Sequence, residues 1–306
     1  MEKSMNNPVI LVKNLSKSYR GKPAIQNLGF TVPEGAIYGL LGPNGVGKTT
    51  TIRILMNLIA ATQGQAEILG KKCSSLKPAD FTDIGYVSEN QQLPEWMSLQ
   101  QLSDYLAPFY SNWDKLYERE LSDQLDLPRN VRLKDMSRGM KMKAALGVSM
   151  AYRPKLLVLD EPFSGLDPVV RDEFSAAVLS LVSDSGCSVL LSSHDVEEVQ
   201  RLCDWVGIMK QGRMEISEPL EKLQERHRKL SIRLPQGEKA SGLWEKPMEL
   251  LGEENDLLQL LHRDFEGDVS LASIKSRLPI NSVVEVESLS LRDIYLSINR
   301  KLKSDL

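Results

Sequence analysis

Several things are scarce in this sequence, and each absence narrows the field. The 306 residues include three cysteines, Cys73, Cys187 and Cys203, spaced without a pairing pattern or metal-ligand spacing. A disulfide scaffold and a thiolate metal site are therefore excluded. No secretory pattern opens the chain, so a reducing cytosol is the expected compartment. No apolar run approaches the roughly 20 residues that a membrane-spanning helix needs, so work at a membrane would require a partner that does the spanning. Positive charge is not in excess: 38 Lys and Arg stand against 41 Asp and Glu, for a formal net charge of -3. That balance, with a pI of about 5.8, argues against a nucleic-acid protein, which usually presents a net basic surface. Internal repeats and low-complexity tracts are missing too.

What is present is the composition of a globular chain, 42% hydrophobic and 26% charged, long enough for one large domain or two smaller ones. The stretches VILVKNLSKSY and NLGFTV are rich in branched and aromatic residues and predict antiparallel strands. AIYGLL (36–41), KLLVLD (155–160) and SVLLSS (188–193) are nearly continuous apolar runs, which suit parallel strands buried on both faces. Helical patterns follow them. After SVLLSS, Asp195 is placed to cap a helix with Glu198 at capping-box spacing, and Val196, Val199 and Leu202 would line one face. Strands alternating with helices predict an α/β layered fold.

Between about Leu93 and Tyr152 the pattern becomes helical, and SLQQLSDYLAPFY, DKLYERELSDQLD and RGMKMKAALGVSMAY read as three helices inserted between two strands. Beyond Glu218 the composition shifts again. A charged helix, PLEKLQERHRKL (219–230), leads to a Gly/Pro-punctuated stretch around Pro235–Pro247. The chain then reads as a strand and a helix that Ser290 and Asp293 would cap. The expected organisation is a main domain over 1–218, with the helical insertion at 93–152, and a small α+β appendage over 219–306.

The strongest motif is GPNGVGKTT (42–50). It matches G-x-x-x-x-G-K-[ST], with a buried strand before it and an apolar helix after it. In such a loop Gly42, Pro43, Asn44, Gly45, Val46 and Gly47 turn backbone N–H groups toward phosphates. Lys48 reaches the terminal phosphates, Thr49 offers a hydroxyl to magnesium, and Thr50 continues the helix whose N-terminus adds partial positive charge. LLVLDEP (156–162) then carries Asp160 and Glu161 to a strand end, where ligands collect in open α/β sheets. Asp160 suits a magnesium ligand acting through water, and Glu161 suits a general base for an attacking water. The turn SGLDP (164–168) follows, and His194 ends the next apolar strand.

In this order, these elements resemble the nucleotide-binding subunit of an ATP-binding cassette (ABC) transporter over about residues 8–217. The resemblance implies a P-loop NTPase core with an antiparallel β subdomain and a helical insertion, binding ATP and Mg2+. Tyr19 would stack on adenine, and Lys48, Glu161 and His194 would be catalytic. MSRGM (136–140) falls where the family has a Leu-Ser-Gly-Gly-Gln signature. Ser137 and Gly139 match it; Arg138 replaces a glycine and Met140 the glutamine. Ser137, Arg138, Gly139 and Asp167 join the expected nucleotide contacts. Glu89 occupies the slot of a magnesium-touching glutamine, with Gln91 as a substitute if the loop shifts by two residues.

The resemblance further implies two such subunits, identical or paralogous, facing head to tail, each ATP lying between one P-loop and the other chain's Ser137. A permease would rest on the insertion and on the 89–97 loop through Leu93, Trp96 and Met97. The subunit would then be cytoplasmic, peripheral on the inner face of the cell membrane, and independent of nucleic acid. The divergent signature, Glu89 and the tail SLSLRDIYLSI resemble bacterial exporter ATPases that act on peptides, antibiotics or other amphiphiles. The alternative is an ABC ATPase acting on DNA, ribosomes or cluster assembly. The spacing from Lys48 to Asp160 leaves no room for the long coiled coil of DNA-acting relatives, the chain holds one cassette, and no cysteine cluster is present.

Overall fold

The computed structural model describes residues 7–89, 91–235, 238, 248–254 and 256–299. The chain divides into two compact units, Met1–Ser217 and Glu218–Leu306. In chain order the first contains β1 (Ile10–Tyr19), β2 (Lys22–Val32), β3 (Ile37–Leu41), α1 (Lys48–Leu55), β4 (Gln63–Ile68), β5 (Lys71–Lys72) and β6 (Ile84–Ser88). The insertion follows with α2 (Leu99–Leu106), α3 (Lys115–Gln124) and α4 (Arg138–Met150). Then come β7 (Leu156–Asp160), α5 (Pro168–Ser185), β8 (Ser188–Ser193), α6 (Val196–Leu202), β9 (Trp205–Lys210) and β10 (Arg213–Pro219), whose last residues cross the unit boundary.

Two sheets build this unit. One has the order β2-β1-β4-β5, and its pairs are antiparallel. Its inner face is set by alternation: Ile10 and Val12 from β1 and Leu28, Phe30 and Val32 from β2 are all buried. The second sheet has the order β10-β9-β3-β8-β7-β6, parallel from β9 through β6. Every residue of β7 and β8 is buried, as a parallel strand covered on both faces requires. Register then does the positioning. Leu41 pairs with Ser193, Asp160 with Ser192 and Ser88 with Asp160. The residues following β3, β6, β7 and β8 therefore emerge together at one sheet edge.

In the insertion, Ser98 and Gln101 cap α2 reciprocally, and Asp114 caps α3 by accepting from Leu116 N and Tyr117 N. Among the described residues the insertion shows no strand beyond an isolated bridge between Ser98 and Arg132. The three cysteines are buried and unpaired, and burial pushes the Cys73 and Cys187 thiols up to about 12. Asp195 caps α6 by accepting from Glu197 N at 2.9 Å. The expected capping box is not completed: Glu198 instead accepts from the Ser193 hydroxyl at 2.6 Å, and Asp195 N donates to that hydroxyl at 2.9 Å.

The second unit comprises α7 (Leu220–Arg226), β11 (Arg228–Arg233), β12 (Met248–Glu254), β13 (Leu257–His262), α8 (Gly267–Lys275), β14 (Val283–Ser288) and α9 (Leu291–Asn299). Its antiparallel sheet has the order β12-β13-β11-β14, and Leu230, Ile232, Leu258, Leu260 and Ile274 form its core. This corrects the helix expected over 219–230, which stops at Arg226. From Arg228 the alternation of Leu230 and Ile232 is taken up by strand pairing on both sides, which outweighs a local helical pattern. Ser290 and Asp293 cap α9 reciprocally, through Asp293 N to Ser290 Oγ at 3.2 Å and Ser290 N to Asp293 Oδ2 at 3.3 Å. Most of the stretch around Pro235–Pro247 lies outside the described residues.

Tyr38 on β3 is fully buried, its hydroxyl 2.7 Å from Ser217 Oγ, and burial raises its phenol well above the usual range. The ring leaves no room opposite: a Cβ on Gly207 of β9 would lie 2.2 Å from the Tyr38 oxygen. Gly207→Ala is expected to destabilise the protein by about 1–3 kcal/mol, the usual cost of overpacking a core, measured by urea unfolding. Unchanged stability would contradict this packing.

Candidate active site

The loop after β3 is shaped by what its glycines allow. Gly42 N donates to Ser193 O at 3.2 Å, and a Cβ at Gly42 would meet Val46 Cγ1 at 2.8 Å and Met209 O at 3.0 Å. Gly47 precedes α1 with φ 115°, and a Cβ there would lie 2.8 Å from Ala24 O of β2. Only glycine fits that approach and that backbone conformation. The crest Pro43, Asn44 and Gly45 is exposed, while Val46, Gly47 and Lys48 are buried and Thr49 and Thr50 half-buried. Lys48 is 5% exposed. Its Nζ donates to Gly42 O at 2.6 Å and Pro43 O at 3.2 Å, and lies 2.9 Å from Glu161 Oε1. No side chain caps the N-terminus of α1.

The acidic pair completes this arrangement. Asp160 Oδ1 accepts from Thr49 Oγ1 at 3.1 Å and from Ser192 Oγ at 2.7 Å. Burial raises the Asp160 carboxyl above the ordinary carboxylate range, opposed by those two hydroxyls. Glu161 adopts φ 50°, a left-handed conformation uncommon for a side-chain-bearing residue. Its N–H is held by Ser192, 3.0 Å from Oγ and 3.2 Å from O. The Glu161 carboxylate lies between two nitrogen groups: Lys48 on one oxygen and His194 Nδ1 at 2.7 Å on the other. His194 is 46% exposed. Ser192 is a residue that sequence reasoning missed. The sequence signal was no more than the Ser-Ser end of this strand, and the pairing of Ser192 with Asp160 is visible only in the structure.

Glu89 accepts from Ser164 Oγ at 2.6 Å, which ties the 89 slot to the turn three residues past Glu161. Gln91 is turned back onto β6, its Oε1 accepting from Ser88 N at 3.2 Å. Glu89 rather than Gln91 is therefore joined to the segment following the acidic pair. Ser137 caps α4 by accepting from Met140 N at 3.2 Å. A Cβ on Gly139 would lie 2.4 Å from Val170 Cγ1 of α5, and one on Gly165 would lie 2.6 Å from Arg138 Nη1. Asp167 caps α5 by accepting from Val170 N at 3.1 Å. Ser137, Arg138, Gly139 and Asp167 thus gather around the start of α5 as a second cluster, distinct from Lys48, Thr49, Asp160, Glu161 and His194. Tyr19 stands at the end of β1, 47% exposed, with the Lys17 ammonium 5.1 Å over its ring.

The ABC transporter family model matches residues 25–164. An uncharacterized ABC transporter ATP-binding protein of Bacillus subtilis, YxlF, is 30% identical over 302 residues, covering 95% of this chain and 99% of that protein. The chain belongs to the ABC transporter family. The bacitracin transport ATP-binding protein BcrA of Bacillus licheniformis is 28% identical, over 95% of this chain and 97% of that protein. A solved structure of an ATP-binding subunit of an ABC transporter matches with a TM-score of 0.64 at 26% identity, covering 71% of this chain and 92% of that one. The chain is thus an ABC transporter ATP-binding subunit with a P-loop NTPase fold, and an ATPase. Its candidate site is the cluster of Lys48, Thr49, Asp160, Glu161 and His194.

Ser192 is the hinge of that site's acidic half, since it serves Asp160 and Glu161 together. Ser192→Ala should cost about 1–3 kcal/mol of stability through the unsatisfied buried groups it leaves. It should also lower kcat for ATP more than it alters KM. Unfolding curves and steady-state ATPase assays measure both; a normal kcat would show that the Ser192 bonds do not order the acids.

Proposed function

We propose that this subunit hydrolyses ATP as one half of a head-to-tail pair and drives a membrane permease that exports a peptide, antibiotic or other amphiphile. The observation that carries the hydrolytic reading is the Glu161 carboxylate, held between Lys48 at 2.9 Å and His194 at 2.7 Å. Lys48 is the cation placed for the terminal phosphates. As phosphate oxygens claim its ammonium, Glu161 is freed to accept a proton from the attacking water. His194 orients the carboxylate from the other side. Thr49 and Asp160, hydroxyl and carboxylate 3.1 Å apart, form the kind of hard-oxygen pair that would hold Mg2+ together with substrate phosphates, and Glu89, bonded to the Ser164 hydroxyl in the turn after the acidic pair, is the further carboxylate in this reading. Mg2+ held there would supply positive charge against the transferring phosphoryl group.

The pairing reading is supported by the position of Ser137 and Arg138. Both are exposed at the start of α4; Arg138 lies beside Gly165 in the 164–168 turn, and the Ser137 hydroxyl caps the helix by accepting from Met140 N, a pair of solvent-facing polar groups suited to a partner's nucleotide. A permease is supported by the apolar side chains that the insertion leaves in solvent. Trp96 is 73% exposed, and Tyr105, Phe109 and Leu116 accompany it, with Leu93 and Met97 half-buried beside Trp96. Among the described residues no helix is long and apolar enough to cross a membrane, so contact with the inner face of the membrane would come through that partner. The similarity to BcrA supports an amphiphile as cargo. Residues 219–306 form an accessory region in this reading. A chain ending at residue 218 is expected to stay folded and bind ATP, as followed by circular dichroism and nucleotide titration; insolubility would mean that the tail completes the core.

Glu161→Gln tests the proposal most directly. The amide keeps the shape of the side chain but cannot take the proton, so turnover should fall by about 10²–10⁴-fold while ATP binding persists. With hydrolysis stalled, gel filtration in ATP and magnesium should show a dimer that ADP does not support. Normal turnover would remove Glu161 from catalysis. A stalled monomer that also fails to pair with a paralogous subunit would overturn the composite site.

A further inference from the structure

The turn after Glu161 and the segment bearing His194 are held by one side chain on α5. Arg171 Nε donates to Leu166 O at 3.0 Å, inside the 164–168 turn. Its Nη1 lies 3.4 Å from Asp195 Oδ2 and 3.4 Å from Glu198 Oε1. Asp195 directly follows His194 and caps α6. Glu198 is buried and accepts from the hydroxyl of Ser193, the residue directly before His194. Asp195 N closes the set by donating to that same hydroxyl. Both chain neighbours of His194 therefore belong to a network that ends on the Arg171 guanidinium.

The chemistry makes arginine specific here. Two carboxylates approach one cation, and the buried Glu198 would be left uncompensated without it. A guanidinium offers donors in fixed, divergent directions, so it can serve a carbonyl on one side and carboxylates on the other, whereas an ammonium is a single point of charge. Arg171 is itself anchored, its carbonyl accepting from Ser175 Oγ at 2.7 Å. Among the described residues its guanidinium partners are the turn and the two carboxylates, not Lys48, Glu161 or the His194 ring.

We infer that Arg171 is a positioning residue for ATP hydrolysis: it locks the segment carrying His194 to the turn that follows Glu161, and so sets the His194–Glu161 contact. This rests on the reading of Glu161 and His194 as the hydrolytic pair. Displacing a catalytic group by about 1 Å can cost about 10²-fold. Arg171→Met is thus expected to lower kcat by about 10–100-fold and to leave KM for ATP within about twofold, since Lys48 and its loop are untouched. Arg171→Lys should fall between Met and the natural residue.

The test is a cycle of Arg171→Met, His194→Ala and the double substitution, with kcat and KM measured on the full chain. If Arg171 acts through His194, removing it from the His194→Ala protein should change kcat by less than about twofold. Losses that multiply instead would overturn the inference, as would a normal kcat for Arg171→Met beside a slow His194→Ala. A normal rate for His194→Ala itself would overturn the underlying reading of the site and the inference with it. Should the Met variant fail to fold, Arg171→Lys is carried through the same cycle with the same deciding outcomes.

Discussion

Lys48 places a full positive charge where almost none of its surface meets water, and much of the cassette is arranged around that fact. A buried ammonium is tolerated only when its donors are met. The loop meets them by curling so that Gly42 and Pro43 turn their carbonyls inward, which demands glycine where β2 and β9 press closest. The remaining partner is Glu161, delivered by the end of β7. The parallel register of β3, β8 and β7 brings the loop, the acids and His194 to one edge, so the buried charge and the sheet topology are two views of one constraint. The same pair also restrains both side chains, because the Lys48 ammonium and the Glu161 carboxylate each take up the other's charge.

Much of this was legible in the sequence because the site is built from strand ends. Continuous apolar runs announced β3, β7 and β8, and each is followed at once by a chemically distinctive residue, so position along the chain translated directly into position in space. Contacts made across elements were not legible. Ser192 matters because it faces Asp160 in register, and nothing local distinguishes it from Ser193. Glu198 sits at capping-box spacing yet turns to Ser193, because Arg171, remote in sequence, supplies the charge that favours a different geometry. The helix expected through Leu230 failed for a related reason: the pairing that makes Arg228–Arg233 a strand involves residues more than twenty positions away on either partner strand.

The altered signature reads differently once its surroundings are visible. Gly139 retains glycine because α5 leaves no room for a Cβ. Arg138 stands one residue earlier on the exposed side, where the helix places no such limit, and its long side chain lies along the 164–168 turn. What looked in the sequence like erosion of a motif is a side chain with a definite resting place. The hydroxyl of Ser137 meanwhile caps α4 by accepting from Met140 N.

That resting place links two positions that the chain keeps 27 residues apart. Gly165 has φ 68° and no side chain, and the Arg138 guanidinium occupies the space that a methyl group would take. The end of an exposed arginine can swing aside, so this contact is a soft limit; the firm one at 165 is the left-handed backbone, which any side chain would strain. Shortening residue 138 would therefore empty the space beside the turn without lifting the demand for glycine there.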